Sequence, residues 1–213
     1  MLDLTPRRSA SVAYVAAGLN LAAALAMWFF LGPGLPTPGS LASGRLAFVR
    51  SAVLLWRLGW LLWHAAAIAL VLLLLLLARR FAGVAALRTS IASIVALAGL
   101  AADLAAEAIS MGVAPALSEQ EFLLVESIVE VLTGYLGNGL YTVAGILLTW
   151  AGWREFSGSI RLLSPVVWAA GLCLAFSSLV HWPAGELWST AVLMPAFVAW
   201  AALVGRWFTS RAS

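Results

Sequence analysis

Residues 65–78 read AAAIALVLLLLLLA, apolar at every helical position, and are followed at once by Arg79 and Arg80. A strand of a membrane barrel alternates polar and apolar side chains, and a surface helix of a soluble domain keeps a polar stripe; this run does neither. About 20 apolar residues cross a hydrocarbon core of about 30 Å as helix, and a helix satisfies its backbone polar groups internally, as lipid requires. The chain repeats such stretches along its 213 residues, 10% of which are charged, where soluble domains average about 25%. The expected class is all-α: a polytopic integral membrane helix bundle, with 1–213 forming a single transmembrane domain.

Six transmembrane helices are predicted, over about 11–31, 46–78, 81–112, 121–150, 160–180 and 187–206. The Gly/Pro-rich segment 32–43 is the longest loop. Helix 1 is read as a retained membrane helix, because its apolar stretch exceeds the roughly 7–15 residues of a signal-peptide core and no clean A-x-A site follows. Pro165 and Pro195 fall inside the last two helices, where each removes a backbone donor and can kink its helix.

Arginine placement gives the expected orientation, since positively charged loops stay in the cytoplasm. With the N-terminus inside, Arg7, Arg8, Arg79, Arg80, Arg88, Arg154, Arg161, Arg206 and Arg211 gather at the inner ends, and Arg45, Arg50 and Arg57 stay outside. Glu119, Glu121 and Glu186 fall on the outer side, and tryptophans mark both interfaces. The expectation is a multi-pass protein of the cell inner (plasma) membrane, N- and C-termini cytoplasmic. Its partner is the lipid bilayer, with a homo-oligomeric or membrane-complex partner also open.

Net charge is +3 without a single lysine, and the arginines sit at helix ends with no basic stripe, so no nucleic-acid partner is expected. Cys173, the one cysteine, is read as a small core residue. The sequence lacks G-x-S-x-G, H-E-x-x-H, a P-loop and any Cys cluster, and no Glu-x-x-His pair suggests a di-metal centre. No metal site is expected.

Ionisable groups are costly in hydrocarbon, so their positions in the helices carry the functional reading. Asp103 and Glu107 on helix 3, and Glu126 and Glu130 on helix 4, are each spaced i, i+4 and share a helix face. Helices 3 and 4 are joined by a short turn. Counting outward from it sets Glu107 level with Glu126 and Asp103 level with Glu130, so the four carboxylates can share one patch. Arg50, Arg57 and His64 recur at steps of seven on helix 2, and Arg57 is expected at the depth of Asp103 and Glu130. Deeper, His64, Asn138, Tyr141 and Asn20 are candidates for the bilayer middle. Helix 4 would present Glu126, Glu130, Gly134, Gly137, Asn138 and Tyr141 along nearly one face. Its glycines Gly134, Gly137 and Gly139 read either as close packing or as a local break exposing carbonyls to a bound group.

The candidate ligand or ion site is therefore Arg57, Asp103, Glu107, Glu126, Glu130, His64, Asn138 and Tyr141. The leading functional expectation is a small transporter or channel-like protein with an outward-facing acidic and arginine vestibule for a proton, cation or cationic solute. The alternatives are an intramembrane enzyme acting on a lipid or quinone, with His64 and a carboxylate as acid and base, and a non-catalytic membrane subunit, anchor or sensor whose ion network only assembles helices.

Overall fold

The computed structural model describes residues 5–211, which are helix and connecting turn with no strand among them. Helix α1 (Pro6–Ala26) opens on a proline, whose missing N–H is harmless in a first turn. It runs on through a wide π turn (Met27–Leu31) and a 3₁₀ turn (Gly32–Gly34). The short helix α2 (Ala42–Ser51) is separated from α3 (Val53–Gly112) by Ala52, whose φ and ψ of −113° and 32° break the helix. The expected second helix, starting at 46, is therefore two elements. Close packing is the reason: Gly34 lies against the ring of Trp56 and Gly59 against Leu31, so the chain leaving α1 folds over the end of α3.

A straight α3 would hold Trp56 and Ser110 about 80 Å apart. Instead the Trp56 indole N–H donates to the Ser110 carbonyl at 2.7 Å, and His64 meets Glu107. The sixty-residue element is a hairpin, bent at Ala85, where φ and ψ are −152° and 52°. Its arms are 53–84 and 86–112. The bend falls beyond the arginines expected to end the helix. Arg80 reaches Glu155 and Arg88 stacks on Trp150 while both stay helical, because a long side chain can carry its charge off an apolar helix.

Beyond a 3₁₀ turn (Ala114–Ala116), α4 (Glu119–Glu130) starts at a capping box: Ser118 accepts from the Glu121 N–H, and the Glu121 carboxylate accepts from the Ser118 N–H. A π segment (Val131–Gly137) joins α4 to α5 (Asn138–Gly152) without a gap, so 119–152 is one rod. Helices α6 (Gly158–Leu179) and α7 (Pro183–Thr209) complete the chain, each continuing through its internal proline.

Five stretches are long and apolar enough to cross a membrane, and the hairpin Val53–Ala116 is long enough to do so twice, so the bundle holds six segments of that length. They close into a ring: α1 packs on α3 and α7, α3 on α5, α5 on α6, and α6 on α7. Small residues set the spacing. Gly145 lies beneath the Trp168 ring, Gly171 against Thr142, Gly152 against Phe81 and Gly205 against Tyr14. Two indoles of the ring find partners: Trp168 donates to Thr149 and Trp200 to Ser164, both at 2.9 Å, and the two rings meet edge to face.

Outside the ring, Leu21, Leu54, Leu72, Ile94, Leu124, Leu162 and Phe176 are exposed on different helices. Monomeric soluble proteins rarely expose so continuous an apolar surface. Cys173 belongs to this surface and not to the core assigned from sequence, a reversal that follows from the ring: an apolar side chain on a membrane-type helix can face outward as readily as inward.

Candidate functional site

The charged groups divide between the two ends and the middle of the bundle. At the acidic end, the end of the 113–118 turn, α2 places Arg45 beside Glu126 of α4. Arg45 donates through Nε to Oε1 at 3.2 Å and through Nη2 to Oε2 at 2.5 Å, while Nη1 donates to the carbonyl and hydroxyl oxygens of Ser40, each at 3.1 Å. The side chains of this forked pair are 7% and 17% exposed. Glu130, one turn further in, takes His181 instead, with Nδ1 2.9 Å from Oε2, and Glu186 of α7 lies beside Glu130 and Ser178. His181 has φ of 50°, a left-handed backbone at the end of α6 that is uncommon outside glycine but that histidine, like asparagine and aspartate, adopts more readily than other residues. That conformation brings the imidazole back over Glu130.

Deeper lies a second group. Asp103, buried on the second arm of α3, accepts the Thr133 hydroxyl on Oδ1 and the Tyr141 hydroxyl on Oδ2, the latter at 3.1 Å. One turn along the same arm Glu107, fully buried, meets Nδ1 of His64 on the first arm, and its Oε1 has no hydrogen-bond partner among the described residues. Asn138 donates to the Thr133 carbonyl at 2.8 Å, which the wide π turn leaves accessible. Asn20 of α1 donates to the Ala16 and Ala66 carbonyls at 2.9 and 3.3 Å, tying α1 to the first arm of α3.

These groups border a central cavity of about 50 Å³. Asn20, Asp103, Thr133, Asn138 and Tyr141 give it polar walls, and Trp63, Trp168 and Phe197 close the rest. Each pass of the ring supplies at least one wall residue. Since a water molecule occupies about 30 Å³ in the liquid, the space suits one or two waters or a small ion. Among the described residues no three His, Cys, Asp or Glu side chains converge as metal ligands.

The arrangement of the named residues differs from the expected one in three ways. Arg57 is exposed and donates to the Met111 carbonyl at 3.2 Å; among the described residues it meets no carboxylate. The arginine that does so is Arg45, which the Gly/Pro-rich surroundings had placed in a loop. The four carboxylates do not share one patch, because Asp103 lies level with Thr133 and Tyr141, deeper than Glu130, and Glu107 turns toward His64. Nor do the helix 4 positions share one face. Glu130 and Gly134 face the end of α6 at His181 and Ser178, whereas Gly137 and Tyr141 face Asp103 on α3. The π turn between them takes up the difference. Its glycines allow close approach: a Cβ on Gly134 would lie 2.1 Å from the Ser178 hydroxyl, and one on Gly137 3.2 Å from Asp103 Cβ.

Sequence reasoning passed over Arg45, Thr133, His181 and Glu186. Thr133 carried the one usable signal, a hydroxyl three residues from Glu130 on a membrane-type helix, where such a group needs a partner. The chain matches no known protein family, and no curated protein or solved structure is similar to it.

Proposed function

We propose that the chain is a multi-pass protein of the cell inner (plasma) membrane, both termini cytoplasmic, that passes a proton or small monovalent cation through a site at Asp103. The observation that carries the reading is a buried carboxylate held by two hydroxyls and, among the described residues, by no arginine or histidine, in the polar patch of a small, otherwise apolar cavity bordered by all six helical stretches. An isolated buried carboxylate charge is too costly to stand uncompensated, so this group takes either a proton or a cation into the cavity. The cavity volume favours the smallest of the candidate solutes.

In this reading Glu130, His181 and Glu186 form the outer approach, and the Arg45–Glu126 pair is its fixed wall. Glu107 and His64 lie within the hairpin one turn from Asp103 toward the acidic end and complete the polar interior. Leu70, Leu74 and Phe197 close the cavity on other sides. Arginine asymmetry supports the orientation: α1 packs on α7, Arg211 beyond α7 reaches Glu155 of the loop between α5 and α6, and the basic end so formed is assigned nine of the 12 arginines.

The test is flux into vesicles of purified protein, read with an internal pH dye and with sodium or potassium tracer. Asp103→Asn abolishes the flux and Glu119→Gln leaves it unchanged. Absence of flux in the wild-type protein, or full flux in Asp103→Asn, refutes the reading. The His64–Glu107 pair, with one carboxylate oxygen unpartnered, favours intramembrane acid–base chemistry on a lipid or quinone as the second reading. Turnover of such a substrate that Glu107→Gln removes, without ion flux, would select it.

A further inference from the structure

A groove of about 460 Å³ lies on the outer surface of the ring between α5 and α6, with Trp168 standing between it and the central cavity. It is an open depression on the surface, far roomier than an ion requires. Trp150 and Trp153 of α5 and Pro165 and Trp168 of α6 form its walls. On α5 the wall residues Ile146, Thr149, Trp150 and Trp153 recur at helical spacing along one face, and on α6 Ser164, Pro165 and Trp168 do the same. Pro165 has no N–H to offer the Arg161 carbonyl, which loosens α6 where the groove opens.

The next position on that α6 face is Arg161. Thr142 lies against Gly171 and Gly145 against Trp168, and this antiparallel register sets Arg161 level with the Trp153 end of the groove. On the opposite flank the Arg88 guanidinium stacks on the Trp150 ring, 3.7 Å from its centroid. Stacking uses the face of the guanidinium and leaves its edge N–H groups free. Among the described residues neither the Arg88 nor the Arg161 side chain has a hydrogen bond or ion pair to protein. Among the described residues Glu155 is the one acid of this end, and it is taken by Arg80 and Arg211.

We propose that this groove binds an anionic phospholipid, one acyl chain lying along the tryptophan and proline walls and the phosphate held between Arg88 and Arg161. An open apolar groove flanked by two unpaired guanidiniums matches the two halves of such a molecule. Basic pockets between helices at the cytoplasmic side are a recurring means of holding anionic headgroups. Tryptophans at the same level suit the boundary where the headgroup meets the chain. The assignment does not depend on the transport reading.

Delipidated full-length protein is titrated with phosphatidylglycerol, phosphatidylcholine or inorganic phosphate, and adducts are counted by native mass spectrometry. Phosphatidylglycerol binds at about one-tenth the concentration that phosphatidylcholine needs, and inorganic phosphate does not displace it. Arg88→Gln with Arg161→Gln removes that tenfold preference, whereas Arg79→Gln with Arg206→Gln, at the same end, keeps it. Ile146→Trp, which fills the groove without touching charge, weakens both lipids. The proposal is overturned by equal binding of the two lipids, by loss of preference in the Arg79/Arg206 pair, by displacement with inorganic phosphate, or by a groove-filling variant that splits a dimer and leaves lipid binding unchanged.

Discussion

Replacing Arg45 by alanine separates the ion network of the structure from the one suggested by sequence spacing. The guanidinium is almost fully enclosed and makes four hydrogen bonds, two of them to Glu126. Its removal leaves the Glu126 carboxylate partly buried with no countercharge, a change that costs about 3–5 kcal/mol in buried pairs. Arg57, exposed and joined to a single carbonyl at 3.2 Å, is worth about 0.5–1 kcal/mol by the usual net value of such a bond. The difference between Arg45→Ala and Arg57→Ala should therefore be about 2–4 kcal/mol. Glu126→Ala should cost less than Arg45→Ala, because Ser40 still accepts two of the guanidinium's hydrogen bonds. The double variant removes both charges, so the cycle should show coupling of about 2 kcal/mol. Equilibrium unfolding in mixed micelles, followed by circular dichroism, reads all four proteins. If Arg57→Ala is as costly as Arg45→Ala, or the two Arg45 and Glu126 changes simply add, the buried pair is not what holds α2 to α4.

Three further outcomes are expected. Gly145→Ala should destabilise by about 1–3 kcal/mol in the same unfolding assay, because its Cβ would sit 2.3 Å from a Trp168 ring held by Thr149 and Trp200, whereas Gly18→Ala, with nothing within 4 Å, should be neutral or slightly stabilising. Since Cys173 is exposed, Cys173→Ala should fold as the parent does; in that background a cysteine at Gly39 should react with an impermeant thiol reagent outside intact cells, and one at Ser159 should not. Tyr141→Phe and Thr133→Ala should each lower flux in the vesicle assay, with Glu130→Gln lowering it as well, while all three retain the parent's helix content.

Helix number was legible because hydropathy is a local property. A stretch such as 65–78 declares itself whatever its neighbours do, and the six expected stretches lie in helices long and apolar enough to cross a membrane. Partners were not legible, because they depend on phase. Counting by whole turns from residue 116 presumes an unbroken α-helix, yet the rod 119–152 passes through seven residues of π-helix that turn Gly137 and Tyr141 toward a different neighbour from Glu130. The arginine exchange has a different cause. Arg57 stood in an apolar run and looked buried, whereas Arg45 stood among glycine and proline and looked solvated; but a short helix folded over the bundle end encloses what it carries. Asp103 and Glu107 were recognised from cost alone, and their depth follows from the hairpin that no local pattern announces.

The bend at Ala85 is the fulcrum of two long levers. From it to Glu107 is about 33 Å of helix, so a change of about 3° in the angle between the arms moves their tips by nearly 2 Å. That is the difference between a hydrogen bond and none, both for the indole of Trp56 on the Ser110 carbonyl and for the meeting of His64 with Glu107. A slight flexing at the basic end is thereby magnified into the making or breaking of polar contacts at the acidic end, and the two faces of the bundle are geared to each other by one residue.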